Sequence, residues 1–89
     1  MSVEIRFTSK ETQVHNLKTL PKFYEDIMHG NKTFEVVEND REFKVNDILI
    51  LEEWDSARNY TGRKLARRII YILDEEECCK KGKIILGMR

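Results

Sequence analysis

The stretch HGNKTFEVVENDREFKVND, from His29 to Asp47, decides how this chain folds. Gly30 suits a helix stop, because it enters the left-handed conformation without a Cβ penalty. A strand is expected to begin near Thr33, and TFEVV carries the aromatic and β-branched residues that strands favour. ENDR reads as a turn. FKVND reads as the next extended segment, with Asn46 suited to a positive φ. Three polar side chains, Lys32, Thr33 and Glu35, stand at the helix-to-strand junction. A strand starting at Lys32 would set Lys32, Phe34 and Val36 on one face and Thr33, Glu35 and Val37 on the other. Phe34 and Val36 are then the core-facing pair. Lys32 and Glu35 share one concavity only if Lys32 still belongs to the turn, which Gly30 and Asn31 favour. The plainer alternative is a surface ion pair worth about 0–1 kcal/mol.

Working outward, VEIRF (Val3 to Phe7) alternates and reads as an edge strand, SKETQ as a loop, and VHNLKTL as a short strand. Leu20 opens a helix with Pro21 in its first turn, where a missing N–H costs nothing. Leu20, Phe23, Tyr24, Ile27 and Met28 form its apolar stripe. Downstream, DILILEEW is the most apolar strand, and DSARNYTG is a hairpin loop. RKLARRIIYIL is a long strand, with a bulge expected where its arginines change face between Arg67 and Arg68. DEEECCKKG is a loop or one helical turn, and KIILGM closes the chain. The order is α+β: a small curled sheet plugged by one helix. The expected core is Phe23, Ile27, Phe34, Val36, Val45, Ile48, Ile50, Ile69 and Ile85.

With 89 residues the chain makes one modest domain. Lys+Arg and Asp+Glu are 16 each, so bulk charge gives no case for a nucleic-acid coat. The placement is uneven, however. Arg58, Arg63, Lys64, Arg67 and Arg68 form a basic strip between two acidic clusters. It steers an anionic ligand, or it is the ordinary solvated face of a hairpin. Cys78 and Cys79 are adjacent and make no disulfide framework, so they read as reduced cytoplasmic thiols. No metal-ligand spacing, phosphate loop or nucleophile triad is present, so no metal and no cofactor is expected. No apolar run approaches a membrane span, so no membrane partner is expected either.

The run LPKFYEDIMHGNKTFEVVENDREFKVNDILILEEWD, followed by YTGR, YILD and KIILGM, resembles the small ASCH-superfamily domains of bacteria and phages. The resemblance covers roughly residues 14–88. It leaves residues 1–13 as an N-terminal extension and 14–89 as the domain. It implies a PUA-like pseudo-β-barrel of five to six strands, with one helix after the first family-like strand. The superfamily signature G-x-K-x-x-E-x-R is matched by Gly30, Lys32 and Glu35, while Val37 stands where the arginine belongs. The resemblance implies a cleft for RNA or a modified nucleoside at this junction. One enzyme branch deacetylates acetylcytidine with a lysine at the position of Lys32, a threonine at that of Glu35 and a later glutamate.

The resulting expectation is an RNA- or nucleotide-binding domain. Its floor is Lys32, Thr33 and Glu35, which are also the catalytic candidates. Arg41, Trp54, Arg58, Tyr60 and Arg63 form its rim. His15 joins the ligand-binding set from the first family-like strand. Trp54 and Tyr60 serve either as stacking platforms or as staples of the hairpin loop. The alternatives are a small amidohydrolase acting on a modified nucleoside, and a protein-interaction module without nucleic-acid binding.

Overall fold

The structure is a computed structural model that describes residues 12–89. The strand expected at Val3–Phe7 lies outside the described residues. Strand β1 spans Val14–Thr19, helix α1 Pro21–Met28, β2 Phe34–Glu38, β3 Ile48–Asp55, β4 Asn59–Leu73 and β5 Lys83–Met88. They form a five-stranded mixed sheet in the order β1-β3-β4-β5-β2. β1 runs parallel to β3, and every other pairing is antiparallel.

The 15-residue β4 belongs to two ladders. Its residues Asn59 to Arg68 pair with β3, and Ile69 to Leu73 pair with β5. Register shifts fall between Ile69 and Tyr71 and between Glu52 and Trp54. The expected bulge at Arg67–Arg68 is therefore displaced: those two arginines change face by ordinary alternation, and the irregularity follows Ile69. Leu65 and Ile69 point inward before it, and Ile72 after it. FKVND is no strand. Phe43 turns into the core, Asn46 takes φ 82°, and the segment turns sharply into β3.

Among the described residues the sheet does not close into a barrel: β1 and β2 are its two ends, and no ladder joins them. Two cavities lined from both strands hold these edges apart.

The core is Ile27, Val37, Phe43, Leu49, Leu51, Ile69, Ile84, Leu86 and Met88. Of the expected core, only Ile27 and Ile69 are fully buried. In β2, β3 and β5 the register is off by one residue. Phe34 is 44% and Val36 54% exposed, while Glu35 and Val37 face inward. Ile48, Ile50 and Ile85 are half-buried, and their neighbours Leu49, Leu51 and Ile84 are buried. Phe23 and Val45 give way to Tyr24 and Phe43. FEVV, ILIL and KIIL are apolar on both phases, so alternation alone chooses neither, and a one-residue slip inverts every side chain. Glu35 and Glu53 point inward because each has a partner there: Lys32 for Glu35, Thr61 and Arg63 for Glu53.

Helix α1 buries Tyr24 and Ile27. Its end is fixed by Gly30 at φ 80°. The backbone N–H groups of Asn31 and Lys32 both donate to the Asp26 carbonyl, at 2.8 and 3.1 Å. This tight exit keeps Lys32 in the turn, ahead of the strand.

A candidate ligand cleft between the two sheet edges

Because Lys32 belongs to the turn and Glu35 to the inner face of β2, the two side chains meet. The Lys32 ammonium donates to Glu35 Oε1, and to the Phe34 carbonyl at 2.7 Å. It also lies over the rings of Phe34 (4.7 Å) and Phe23 (5.2 Å). Two ring faces, a carboxylate and a carbonyl thus surround one cation, each attracting it electrostatically.

The pair lies in a cleft between β1 and β2. One cavity of about 460 Å³ is lined by Lys18, Thr19, Leu20, Phe23, Lys32, Phe34, Glu35 and Val36. A second, of about 520 Å³, takes Asn16, Leu17 and Lys18 from β1, Glu35 to Glu38 from β2, and Asp40, Arg41, Phe43, Glu52, Tyr60 and Lys83 around them. Lys18, Glu35 and Val36 line both, so the two cavities adjoin. Most charges in the cleft are paired. Besides Lys32 with Glu35, Arg41 bonds Asp40 at 3.0 Å and Lys83 bonds Glu38. The Lys18 ammonium lies over the Trp54 ring at 4.8 Å.

The expected site residues divide into two groups. Lys32, Glu35, Arg41 and Tyr60 line the cleft. Thr33 does not: it is exposed, and its carbonyl accepts from the Met88 N–H at 2.9 Å, tying the start of β2 to β5. Trp54 sits opposite Tyr60 in the β3–β4 ladder and contributes through Lys18. Arg58 bonds Asp55 within the hairpin turn, at 3.3 Å. Arg63 reaches Glu25 at 2.6 Å and Glu53 at 3.1 Å, and covers the Tyr24 ring. The hydrogen bond that Arg63 donates to Glu25 and the charge of both carboxylates raise the Arg63 pKa. Arg67 donates to the Ile27 carbonyl and Arg68 to the Asn46 carbonyl, each at 3.1 Å. The basic strip is thus largely engaged by its own chain.

His15 is 5% exposed and away from the cleft. Its Nε2 lies 2.8 Å from Asp47 Oδ2, and its ring packs on Phe43. Burial pushes the Asp47 carboxyl upward, but His15 and the N–H groups of Gln13 and Lys44 outweigh it and hold the pKa below the ordinary value. Val37 is buried in the core, so an arginine at this position would have to bring its charge into the apolar cluster.

Sequence reasoning missed Thr19. It is 2% exposed, lines the smaller cavity, and its Oγ1 has no hydrogen-bond partner. The signal was the alternation His15, Leu17, Thr19, which puts all three on the inner face of β1. Among the described residues no cluster of three or more His, Cys, Asp or Glu is arranged to hold a metal, and no helix is long and apolar enough to cross a membrane.

Residues 14–88 match the family model described as a domain of unknown function, DUF3850. The chain belongs to this family. The DUF3850 domain is also similar to an uncharacterised 12.9 kDa protein encoded in the GpA 3′ region of Escherichia phage P2, at 34% identity over 62 residues. That match takes in 70% of this chain and 56% of the phage protein, so the chain spans about half the length of this relative.

Proposed function

We propose that this DUF3850 domain is a PUA-like module of ASCH type that binds a nucleoside- or nucleotide-sized ligand, free or within RNA, in the cleft between β1 and β2. The observation that carries the reading is the Lys32–Glu35 pair, which is largely buried at the cleft, Glu35 lining both cavities and Lys32 the smaller one. Cavities of this size suit small ligands, and a few convergent polar groups on apolar walls are what fixes a ligand's orientation. Three of the cleft's four cations, Lys32, Arg41 and Lys83, are already paired with acids, which favours a compact polar ligand over a long polyanion that needs unpaired cations. The free thiols of Cys78 and Cys79 are consistent with a reducing cytoplasm. Titration of the 15N-labelled domain with a nucleoside panel and a short single-stranded RNA tests the reading. Saturable shifts at Lys18, Lys32 and Glu35 are expected. Absence of saturable binding by every nucleoside and by the RNA overturns it.

A second reading, a small amidohydrolase, is favoured by the grouping of a hydroxyl, an ammonium and a carboxylate around one cavity: Thr19, Lys32 and Glu35. Turnover of acetylcytidine that disappears in Lys32→Ala would put this reading first. A third, a protein-docking module, is favoured by the exposed outer row of Phe34, Val36 and Tyr71. It would be supported if the nucleoside panel fails and a protein partner shifts those three residues.

A further inference from the structure

We propose that the Thr19 hydroxyl is the specificity-determining group of the cleft, and that the ligand it completes presents a planar edge with a carbonyl-type acceptor beside an N–H donor. The inference rests on the cleft being a small-molecule site, as proposed above. Thr19 Oγ1 is buried without a partner, a situation that costs free energy and is rare in native proteins. A hydroxyl can find its partner in the core, in water or in a ligand. Here the residue lines a cavity whose apolar walls are Leu20, Phe23, Phe34 and Val36, with Lys18, Lys32 and Glu35 beside them, and the hydroxyl lies just beneath its surface.

The other polar groups of that cavity define what is missing. An ammonium has three N–H donors, and Lys32 uses them toward Glu35 Oε1 and the Phe34 carbonyl, leaving one. Glu35 Oε2 accepts no hydrogen bond among the described residues. The cavity therefore offers donors from Lys18, Lys32 and Thr19 and an acceptor from Glu35. A lactam or carboxamide edge offers a partner to each kind of group, and its flat body suits the apolar walls of the cavity. A phosphate or carboxylate does not, since it brings no donor to Glu35. Such an edge occurs on nucleobases and on primary carboxamides.

Thr19→Val tests this, because it removes the hydroxyl at nearly constant volume. Uridine and N3-methyluridine are titrated into both proteins by NMR, with propionamide and N,N-dimethylpropionamide as the carboxamide arm. Thermal melts of both proteins are recorded without ligand. Thr19→Val is expected to weaken the N–H-bearing probe by about three- to tenfold, the range of one hydrogen bond. Methylation of the probe nitrogen should weaken binding to the wild-type protein. The melting temperature without ligand should hold or rise, since an unpaired buried hydroxyl is removed. Binding of propionamide but not uridine keeps the inference and removes the nucleoside reading. Binding of uridine with equal affinity to both proteins does the reverse. A fall in melting temperature would show that the hydroxyl is already paired in the free protein and overturns the inference, as does failure of every probe to bind the wild-type protein.

Discussion

Asp47 illustrates how one carboxylate fastens three segments. Its oxygens accept from the Gln13 N–H before β1, from the Lys44 N–H of the preceding turn and from His15 on β1. Replacing it with asparagine should cost about 1–3 kcal/mol, the range for leaving buried partners unsatisfied, measured by urea denaturation. The acid dependence follows from the lowered native pKa. The unfolded carboxyl, near 4, takes up its proton before the native one, so the contribution is complete above that value. It is lost as pH falls toward the lower native pKa. Melts between pH 2 and 7 should show this acid limb in the wild type and a flatter one in Asp47→Asn; identical limbs would remove Asp47 from the account. Lys32 was legible because Gly30 and Asn31 announce a turn. The concavity shared by Lys32 and Glu35 follows from that turn, but the phase of β2 does not: alternation favours Phe34 and Val36 as the core-facing pair, whereas Glu35 and Val37 face inward.

At the scale of elements, the order of helix and strands followed from turn residues and apolar runs, whereas strand phase did not. Where both phases are apolar, as in ILIL, only the finished packing selects one. Leu51→Ala should therefore cost ~2–5 kcal/mol, and Ile50→Ala clearly less, because Leu51 is fully enclosed and Ile50 is not. Equal losses in chemical denaturation, or the reverse order, would favour the opposite phase. The exit of α1 allows a similar test. A Cβ at Gly30 meets nothing within 4 Å, so Gly30→Ala probes the positive φ alone. A loss of roughly 1–2 kcal/mol is expected from the left-handed backbone, accompanied by altered shifts at Lys32 and Glu35. Unchanged stability would mean that the turn can relax without strain.

For the whole molecule, the balance of charge is reproduced locally: nearly every cation near the cleft or on the strip has an acid or a carbonyl of its own. The strip was visible in the sequence, but its partners were not, because Glu25 and Glu53 lie on different elements from Arg63. If RNA binds, the Arg58→Ala, Arg63→Ala double variant should leave the slope of log affinity against log salt nearly unchanged. A slope flattened by one to two units, at ~0.7 per phosphate contact, would instead assign the strip to RNA. The same variant should melt earlier, since Glu53 stays buried without its guanidinium partner.

The sharing of β4 between two ladders has a kinetic consequence. The β3–β4 hairpin joins neighbours in sequence and needs only a short loop to close. The β1–β3 and β2–β5 ladders bridge far longer loops, which close more slowly. Among the described residues β1 and β2 are also the strands held from one side only, and such edges open locally at lower free energy than a central strand. Hydrogen–deuterium exchange should therefore rank the paired amides of β3 and the first half of β4 as slowest, with those of β1 and β2 faster. A ligand seated between β1 and β2 would slow exchange in both edges together. It would act as a removable sixth strand's worth of order, bracing the part of the chain that assembles last.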